Sequence, residues 1–592
     1  MKSFISILVM LWFFINIQAQ TSTSYTISFD NAVHHEAQIT ATFSNLKSDM
    51  IEFRMSRSSP GRYALHEFAK NVYNVVVTDS KGEVLKFHRP DPYSWQIKGH
   101  DGTIKVSYTL FANHGDGTYA QVDETHAHLN APATFMFVPE LAEQAFEVTI
   151  NVRQDLNWKI ATQLKHTVGN TYYAKDMQYF MDSPIEISNY KKRSFQVGNQ
   201  TINFVLHDDK ATDKDLDLYF ENVKKIVLKQ QEVFSELPTF DYGEYTFLAC
   251  YMPNVSGDGM EHRNSTILAN TRSLAHGGIQ GNISTVSHEF FHCWNVERIR
   301  PKTLEPFDFT KANMSGELWF AEGFTNYYDA LTLCRTGIWN FESYLNNLQE
   351  NFNKVWTSPG RQFFNPIEMS YQAPFVDAAT SVDETNKENT FISYYNYGET
   401  LALALDLSLR EMNLNLDDYM KLVWETFGKT GKFYSVEDLK NTLVTYAGNE
   451  FGNYFFDHYI YKSGMPDFKR LFNNMGIELI SYDTKVLFGV PVRYQKITEN
   501  PRMGSSAYHA GFQKEDKILQ IGPFTLNEMV PLEMVLNKYN VGDKVKFTFL
   551  RFDQIKEVEV TLTSQTMYYL SLKDMNLTNE KMIKNRALWL NE

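Results

Sequence analysis

Apolar residues recur along this chain with three different periods, and each period predicts a different kind of structure. From about residue 21 to 200 the period is two. Ile39, Ala41 and Phe43 alternate with polar neighbours, as do Ile104, Val106, Tyr108 and Leu110, and again Phe146, Val148 and Ile150. Successive side chains on a strand face opposite ways, so this spacing predicts half-buried strands. Asp79-Ser80-Lys81-Gly82 separates two such runs and predicts a hairpin turn. One further pair of strands near Phe195 to Leu206 closes what reads as an all-β, sandwich-like unit.

The period then becomes helical. After Asp213, placed as an N-cap, Leu216, Phe220, Val223, Val227 and Phe234 fall on one helical face. Helical patterns dominate to about residue 475, interrupted by a short strand at Tyr245 to Cys250. Another helix runs from Gly398 through Leu401, Leu405 and Leu409 to Met412. From about 480 to 565 short strands return around one helix. Glu580 to Leu590 reads as a closing helix that packs Ile583, Leu588 and Trp589 onto a neighbouring domain. The fold class is therefore multidomain α+β, divided at 21–205, 206–478, 479–567 and 568–592.

The first twenty residues differ in kind. Met1-Lys2 is a positive start, Ile5 to Ile15 an apolar run, and Asn16 to Gln20 a polar end with the small Ala19 placed for cleavage. That is the layout of a secretory signal peptide, and the run is short for a membrane span. An uncleaved N-terminal anchor is the alternative. No later segment reaches eighteen unbroken apolar residues, which predicts a mature chain without a span, periplasmic or extracellular.

Composition narrows the partners. At 592 residues the chain exceeds one hydrophobic core, so two to four domains are expected. A formal net charge of -14 argues against nucleic acid or an anionic membrane surface. Cys250, Cys293 and Cys334 are too few for a disulfide scaffold; one bridge is open, and the sequence does not choose the pair.

The chemistry is concentrated in the middle. His288-Glu289-Phe290-Phe291-His292 lies in a segment, Ser284 to Glu297, that reads as helix. Two histidines four apart project from one face about a turn apart, near enough to bind one metal ion, and neutral imidazoles suit zinc. Glu289 is rotated about 100° from His288, so it reaches a water rather than the metal. By chance, such a string arises in a chain this long on the order of a few per cent of the time. Leu318 to Thr325 is apolar and helix-compatible, with Glu322 as its single carboxylate. A buried carboxylate is costly without a cation, so His288, His292 and Glu322 form the candidate ligand set. Asn326, one turn beyond Glu322, either steadies a ligand histidine or lies on the helix surface.

His292-Cys293-Trp294 and Trp319-Phe320-Ala321-Glu322-Gly323 resemble the glycyl aminopeptidase family of PDZ-containing zinc peptidases and, more distantly, the aminopeptidase N superfamily. Pro60-Gly61-Arg62-Tyr63 and Phe68 to Val72 resemble that family's N-terminal β domain. Gly504 to Leu519, with Ala510-Gly511 and Asp516-Lys517-Ile518-Leu519, resembles a PDZ core. The resemblance implies an N-terminal all-β domain, a mainly helical, thermolysin-like zinc peptidase domain and a C-terminal PDZ-like domain. It also implies one zinc ion per chain and peptide substrates with a free N-terminus, with glycine or alanine as the preferred first residue.

Two further sites follow from that resemblance. Gly257-Asp258-Gly259-Met260-Glu261-His262 is similar to the exopeptidase motif, which implies substrate contacts at Gly259, Met260 and Glu261, with Glu261 holding the α-ammonium. Tyr395-Asn396-Tyr397-Gly398 is similar to the motif whose tyrosine stabilises the oxyanion. That implies Tyr395 in the role, with Tyr394 as the alternative register. Glu289 is the implied general base.

Other readings stay open. His126-Ala127-His128 puts two rings on one side of a strand, either as a second metal site or as satisfied histidines. Phe488-Gly489-Val490 is either the carboxylate-binding edge for a peptide tail or a plain strand-turn. For the chain as a whole, the rivals to an aminopeptidase are an endopeptidase of the same mechanism and a catalytically silent peptide-binding scaffold.

Overall fold

The alternating residues of the first two hundred positions do pair as strands. A computed structural model, which describes residues 22–376, 383, 385–527 and 530–591, contains a seven-stranded sheet. Its order is Lys165–His166, Thr171–Ala174, Phe146–Asn151, Thr23–Ser28, Glu36–Ser44, Thr103–Phe111 and Val72–Thr78. Ile39, Ala41 and Phe43 stand opposite Tyr108, Val106 and Ile104 in register, and all six are buried. The turn at Asp79 to Gly82 also forms: Gly82 takes φ +87°, which costs glycine little, and Thr78 bridges to Val84. Smaller three- and four-stranded sheets, the latter with His126–Leu129 and Ile185–Ser188, complete this β-rich part. The signal-peptide reading of residues 1–20 lies outside the described residues.

The strand pair near Phe195 to Leu206 belongs elsewhere. Lys191–Val197 pairs with Gln200–His207, which then runs parallel to Glu244–Tyr251. These strands join a five-stranded sheet whose far side is Ser265–Asn270 and the edge strand Asp258–His262. Period-two residues suit either sheet equally, so the pattern alone cannot choose the neighbour. The strand expected at Tyr245 to Cys250 is thus one of five in this sheet, and Asp258–His262 escapes sequence reading because its Asp-Gly start resembles a turn.

The helical middle begins one residue from the expected cap. Thr212, rather than Asp213, caps Asp213–Phe234: its hydroxyl accepts from the Asp215 amide, and the Asp215 carboxylate accepts from the Thr212 amide. Asp213 sits in the first turn, where negative charge still suits the helix dipole. One core joins this helix to the sheet and to three others that carry the chemistry, with Phe247, Phe290, Trp319, Tyr328 and Leu401 among its members. Two of those helices, Gly323–Arg335 and Tyr394–Glu411, cross where glycine meets glycine. A Cβ on Gly323 would strike the Gly398 backbone, and one on Gly398 would strike the Trp319 carbonyl. Close approach of the two backbones there requires both residues to lack side chains.

The C-terminal part has a separate core of Phe488, Ala507, Phe512, Ile518, Val535 and Phe547. Its six-stranded sheet is flanked by two short helices, Ser506–His509 and Leu532–Leu536, rather than one. Glu580–Leu590 is helical, but only part of the expected face is buried. Trp589 is 0% exposed and its indole N–H donates to the Tyr327 hydroxyl at 2.8 Å, whereas Ile583 and Leu588 are 50% and 58% exposed. Consecutive helical residues point about 100° apart, so 588 and 589 cannot share a narrow face. Among the described residues no helix is long and apolar enough to cross a membrane, and no two of the three cysteines are joined.

Candidate metal centre and cleft

Ile283, Val286, Phe290 and Phe291 bury one side of the helix Ile283–Phe291 in the core, while His288 faces Glu322 and Glu289 lies beside Glu261. The helix is shorter than the expected Ser284 to Glu297. It ends at Phe291 with His292 as its C-cap, and tighter turns follow, Cys293 N–H to Phe290 O and Trp294 N–H to Phe291 O. That early end lets the Asn295 carbonyl turn back onto the His292 ring, 2.5 Å from Nδ1. Glu322 stands at the junction of Leu318–Ala321 and Gly323–Arg335.

Three donor atoms converge. The Nε2 atoms of His288 and His292 are 3.0 Å apart, and Glu322 Oε2 lies 3.7 Å and 3.3 Å from them. Each histidine has its other nitrogen occupied. His288 Nδ1 faces Asp329 Oδ2 at 3.1 Å, and His292 Nδ1 faces the Asn295 carbonyl. Both partners accept only, so each Nδ1 carries the proton and each Nε2 presents a lone pair. Two lone pairs and a carboxylate, facing one another in a buried place, repel unless a cation sits among them. Zinc bonds of about 2.0–2.2 Å give tetrahedral edges of about 3.3–3.6 Å, and the three separations of 3.0, 3.3 and 3.7 Å bracket that range. The group fits a zinc ion.

Electrostatics agree. Burial would raise the Glu322 carboxyl, yet His292 and His288 hold it well below the usual carboxylate range. Burial would lower His292, yet Glu322 and Glu261 push it up to about 9. The site is short of positive charge, which a divalent cation would supply in place of protons. Glu289 behaves oppositely: burial lifts it to about 8 even beside His288 and His292.

The remaining predicted residues are distributed around this centre. Glu261 is 6% exposed, and one oxygen each of Glu261 and Glu289 lies within 4.8 Å of a His292 nitrogen and of each other. Burial raises the Glu261 carboxyl as well. Gly259 and Met260 lie on the same edge strand. Gly259 backs onto Glu289, and Met260 is covered by Gly61 of the N-terminal part. The Tyr395 ring is 6.0 Å from the His288 ring and half-buried, while Tyr394 is buried edge-on against Tyr63. Asn326 makes its hydrogen bond to a carboxylate of a neighbouring helix. It donates to Glu399 at 3.4 Å, because one turn beyond Glu322 faces the helix Tyr394–Glu411. His126 and His128 do share one side of their strand, and both face Glu186.

Sequence reading missed several neighbours of the centre. Asp329 lies seven positions beyond Glu322, two turns along one helical face, a spacing that could have found it. Asn295 acts through its carbonyl, which any residue owns. Tyr63 donates to Glu322 Oε1 at 2.6 Å, and Arg62 pairs with Asp258. Both sit in stretches noted only for their resemblance. A cavity of about 680 Å³ lined by Asp182, Arg263, Glu297 and Arg298 is not lined by the donor set, and the converging donors define the site better than that space does.

Residues 24–189 match the family model described as Peptidase M61 N-terminal domain, and residues 281–401 match the one described as M61 glycyl aminopeptidase. Among solved structures, an aminopeptidase N family protein from Idiomarina loihiensis is 24% identical with a TM-score of 0.85, covering 96% of this chain and 100% of that one. That likeness shows the fold over nearly the whole chain. Yeast LTA4 hydrolase in complex with bestatin is 16% identical, TM-score 0.45, covering 76% of this chain and 70% of that one. An M1 zinc metallopeptidase mutant from Deinococcus radiodurans, bound to a Tyr-Ser-Ala substrate, is 11% identical, TM-score 0.45, covering 75% and 94%. No curated protein sequence matches the chain.

Proposed function

We propose that the chain, whose residues 24–189 match the model described as Peptidase M61 N-terminal domain and whose residues 281–401 match the one described as M61 glycyl aminopeptidase, is an exported zinc aminopeptidase removing one residue at a time from peptides with a free N-terminus. The observation that carries this reading is the place of Glu261, a buried carboxylate on an edge strand beside Glu289 and His292. An α-ammonium held there sets the first peptide bond beside the base and the ligand set.

The residues then divide the work. His288, His292 and Glu322 would hold a zinc ion, which would supply Lewis acidity toward the scissile carbonyl and the attacking water. Glu289 takes the proton from that water and passes it to the leaving amine. The Tyr395 hydroxyl donates to the developing oxyanion. Gly259 leaves room for the Glu289 carboxylate, and Gly61 packs against Met260 and Glu261, which would leave little space for residues ahead of the bound amino group. A preference for glycine or alanine as first residue rests on the match to the model described as M61 glycyl aminopeptidase.

Two outlying parts complete the reading. Residues 1–20 act as a signal peptide, so the mature enzyme works in the periplasm or outside the cell. The C-terminal part is PDZ-like: the segment 486–491 and the helix Leu532–Leu536 line a groove of about 400 Å³, where a peptide tail would lie as an added strand.

One comparison tests the function. A peptide with a free amine and its N-acetylated twin are incubated with the enzyme, with and without a chelator. Hydrolysis of the free amine alone, abolished by the chelator, is expected. Cleavage of the acetylated twin would indicate an endopeptidase, and cleavage of neither, with zinc retained, a silent scaffold.

A further inference from the structure

The N-terminal β-rich part reaches the metal centre through one side chain. Tyr63 is 3% exposed, and its hydroxyl donates to Glu322 Oε1 at 2.6 Å. The other oxygen, Oε2, is the one that faces the two histidine nitrogens. A carboxylate can offer a metal one oxygen or both, and a hydrogen bond committed to one oxygen biases it toward the first. We propose that Tyr63 is a positioning residue that holds Glu322 as a one-oxygen ligand. The inference rests on reading His288, His292 and Glu322 as the ligand set.

The placement of Tyr63 is over-determined. Its ring packs edge-on against Tyr394, with centroids 6.1 Å apart. Arg62 beside it pairs with Asp258 and donates to Thr118 at 2.5 Å. Gly61, at φ +76°, lies so close to Met260 and Glu261 that a Cβ would overlap the Met260 sulfur. Three consecutive residues of one loop thus dock on the catalytic part, and the third donates to a ligand. The N-terminal part is therefore a component of the metal site, because the donor to Oε1 comes from it.

Zinc affinity of the full chain, measured by competition with a chromogenic chelator, tests the proposal. Tyr63→Phe removes only the hydroxyl. Its zinc Kd should rise ten- to a hundredfold, the usual effect of losing a partner to a ligand. Tyr108→Phe is the control, since it also loses a buried hydroxyl bond in the N-terminal part, to the Thr134 carbonyl, away from the centre. Its zinc affinity should stay within twofold of wild type. Cobalt substituted for zinc reads the geometry independently of any variant. The wild-type chain should show the strong visible bands of a four-ligand site, and Tyr63→Phe the weaker bands of an added oxygen. Wild-type affinity in Tyr63→Phe, or a five-ligand cobalt spectrum in the unaltered chain, overturns the proposal. If Glu322→Ala instead keeps wild-type zinc affinity, the ligand assignment itself has failed.

Discussion

Gly259 lies against the Glu289 carboxylate so closely that a Cβ at 259 would overlap Oε1 and crowd the carboxyl carbon at 2.7 Å. The edge strand thereby forms the wall against which the base rests. Gly259→Ala should displace Glu289 and lower kcat by about a hundredfold, since misplacement by an ångström costs that much. Zinc content should not change. Kinetics alongside metal analysis of the purified variant check this, and full activity would separate Gly259 from the base.

Glu289 itself touches the donor set only as a neighbour. Glu289→Gln should cut turnover by roughly two to four orders of magnitude while zinc stays bound, because the base is lost and no ligand is. A variant that remains active would remove Glu289 from the mechanism.

Asp329 fixes the tautomer of His288 from 3.1 Å away. Asp329→Asn keeps the shape but weakens the acceptor, so zinc affinity should drop by about ten- to a hundredfold. Chelator competition measures it directly, and unchanged affinity would make the contact incidental.

Tyr395 and Tyr394 are neighbours in sequence with different surroundings. Only Tyr395 has its ring beside His288, while Tyr394 is turned to Tyr63. Tyr395→Phe should lower kcat by about two to three orders of magnitude with little change in KM. Tyr394→Phe should do much less, and the reverse ranking would reassign the oxyanion donor.

Glu399 offers a pH test at a carboxylate outside the ligand set. Burial, and then the nearby Asp329 charge, raise its carboxyl to about 8. Between the ordinary glutamate value and 8 the folded chain binds this proton and the unfolded chain does not. Stability from this group is therefore present below about pH 4.5 and lost as pH rises toward 8. Glu399→Gln should flatten that loss and stabilise the protein at pH 8 by an amount on the order of a few kcal/mol. Denaturant midpoints for both proteins at pH 5 and pH 8 measure the difference, and equal slopes against pH would refute it.

Local pattern was enough for the elements and the reactive types. Period two marks Ile39 to Phe43 as a strand, because pleating alone decides which residues face inward. Helical spacing puts His288 and His292 on one face, because a turn is 3.6 residues wherever the helix lies. A lone carboxylate in an apolar stretch marks Glu322, because burying charge is costly in any fold.

Relations between distant segments needed the tertiary structure. The strands Lys191–Val197 and Gln200–His207 could have closed either sheet, and only packing assigned them to the five-stranded one. Asn326 sits at ligand spacing yet faces Glu399, because the glycine crossing with the helix Tyr394–Glu411 sets that side of the helix. Asn295 contributes a carbonyl, which has no residue type to read. Tyr63 reaches Glu322 across 259 positions of chain. Sequence spacing reports what repeats along one element; which faces of separate elements meet depends on how their surfaces fit, and here that fit decided what surrounds the metal site.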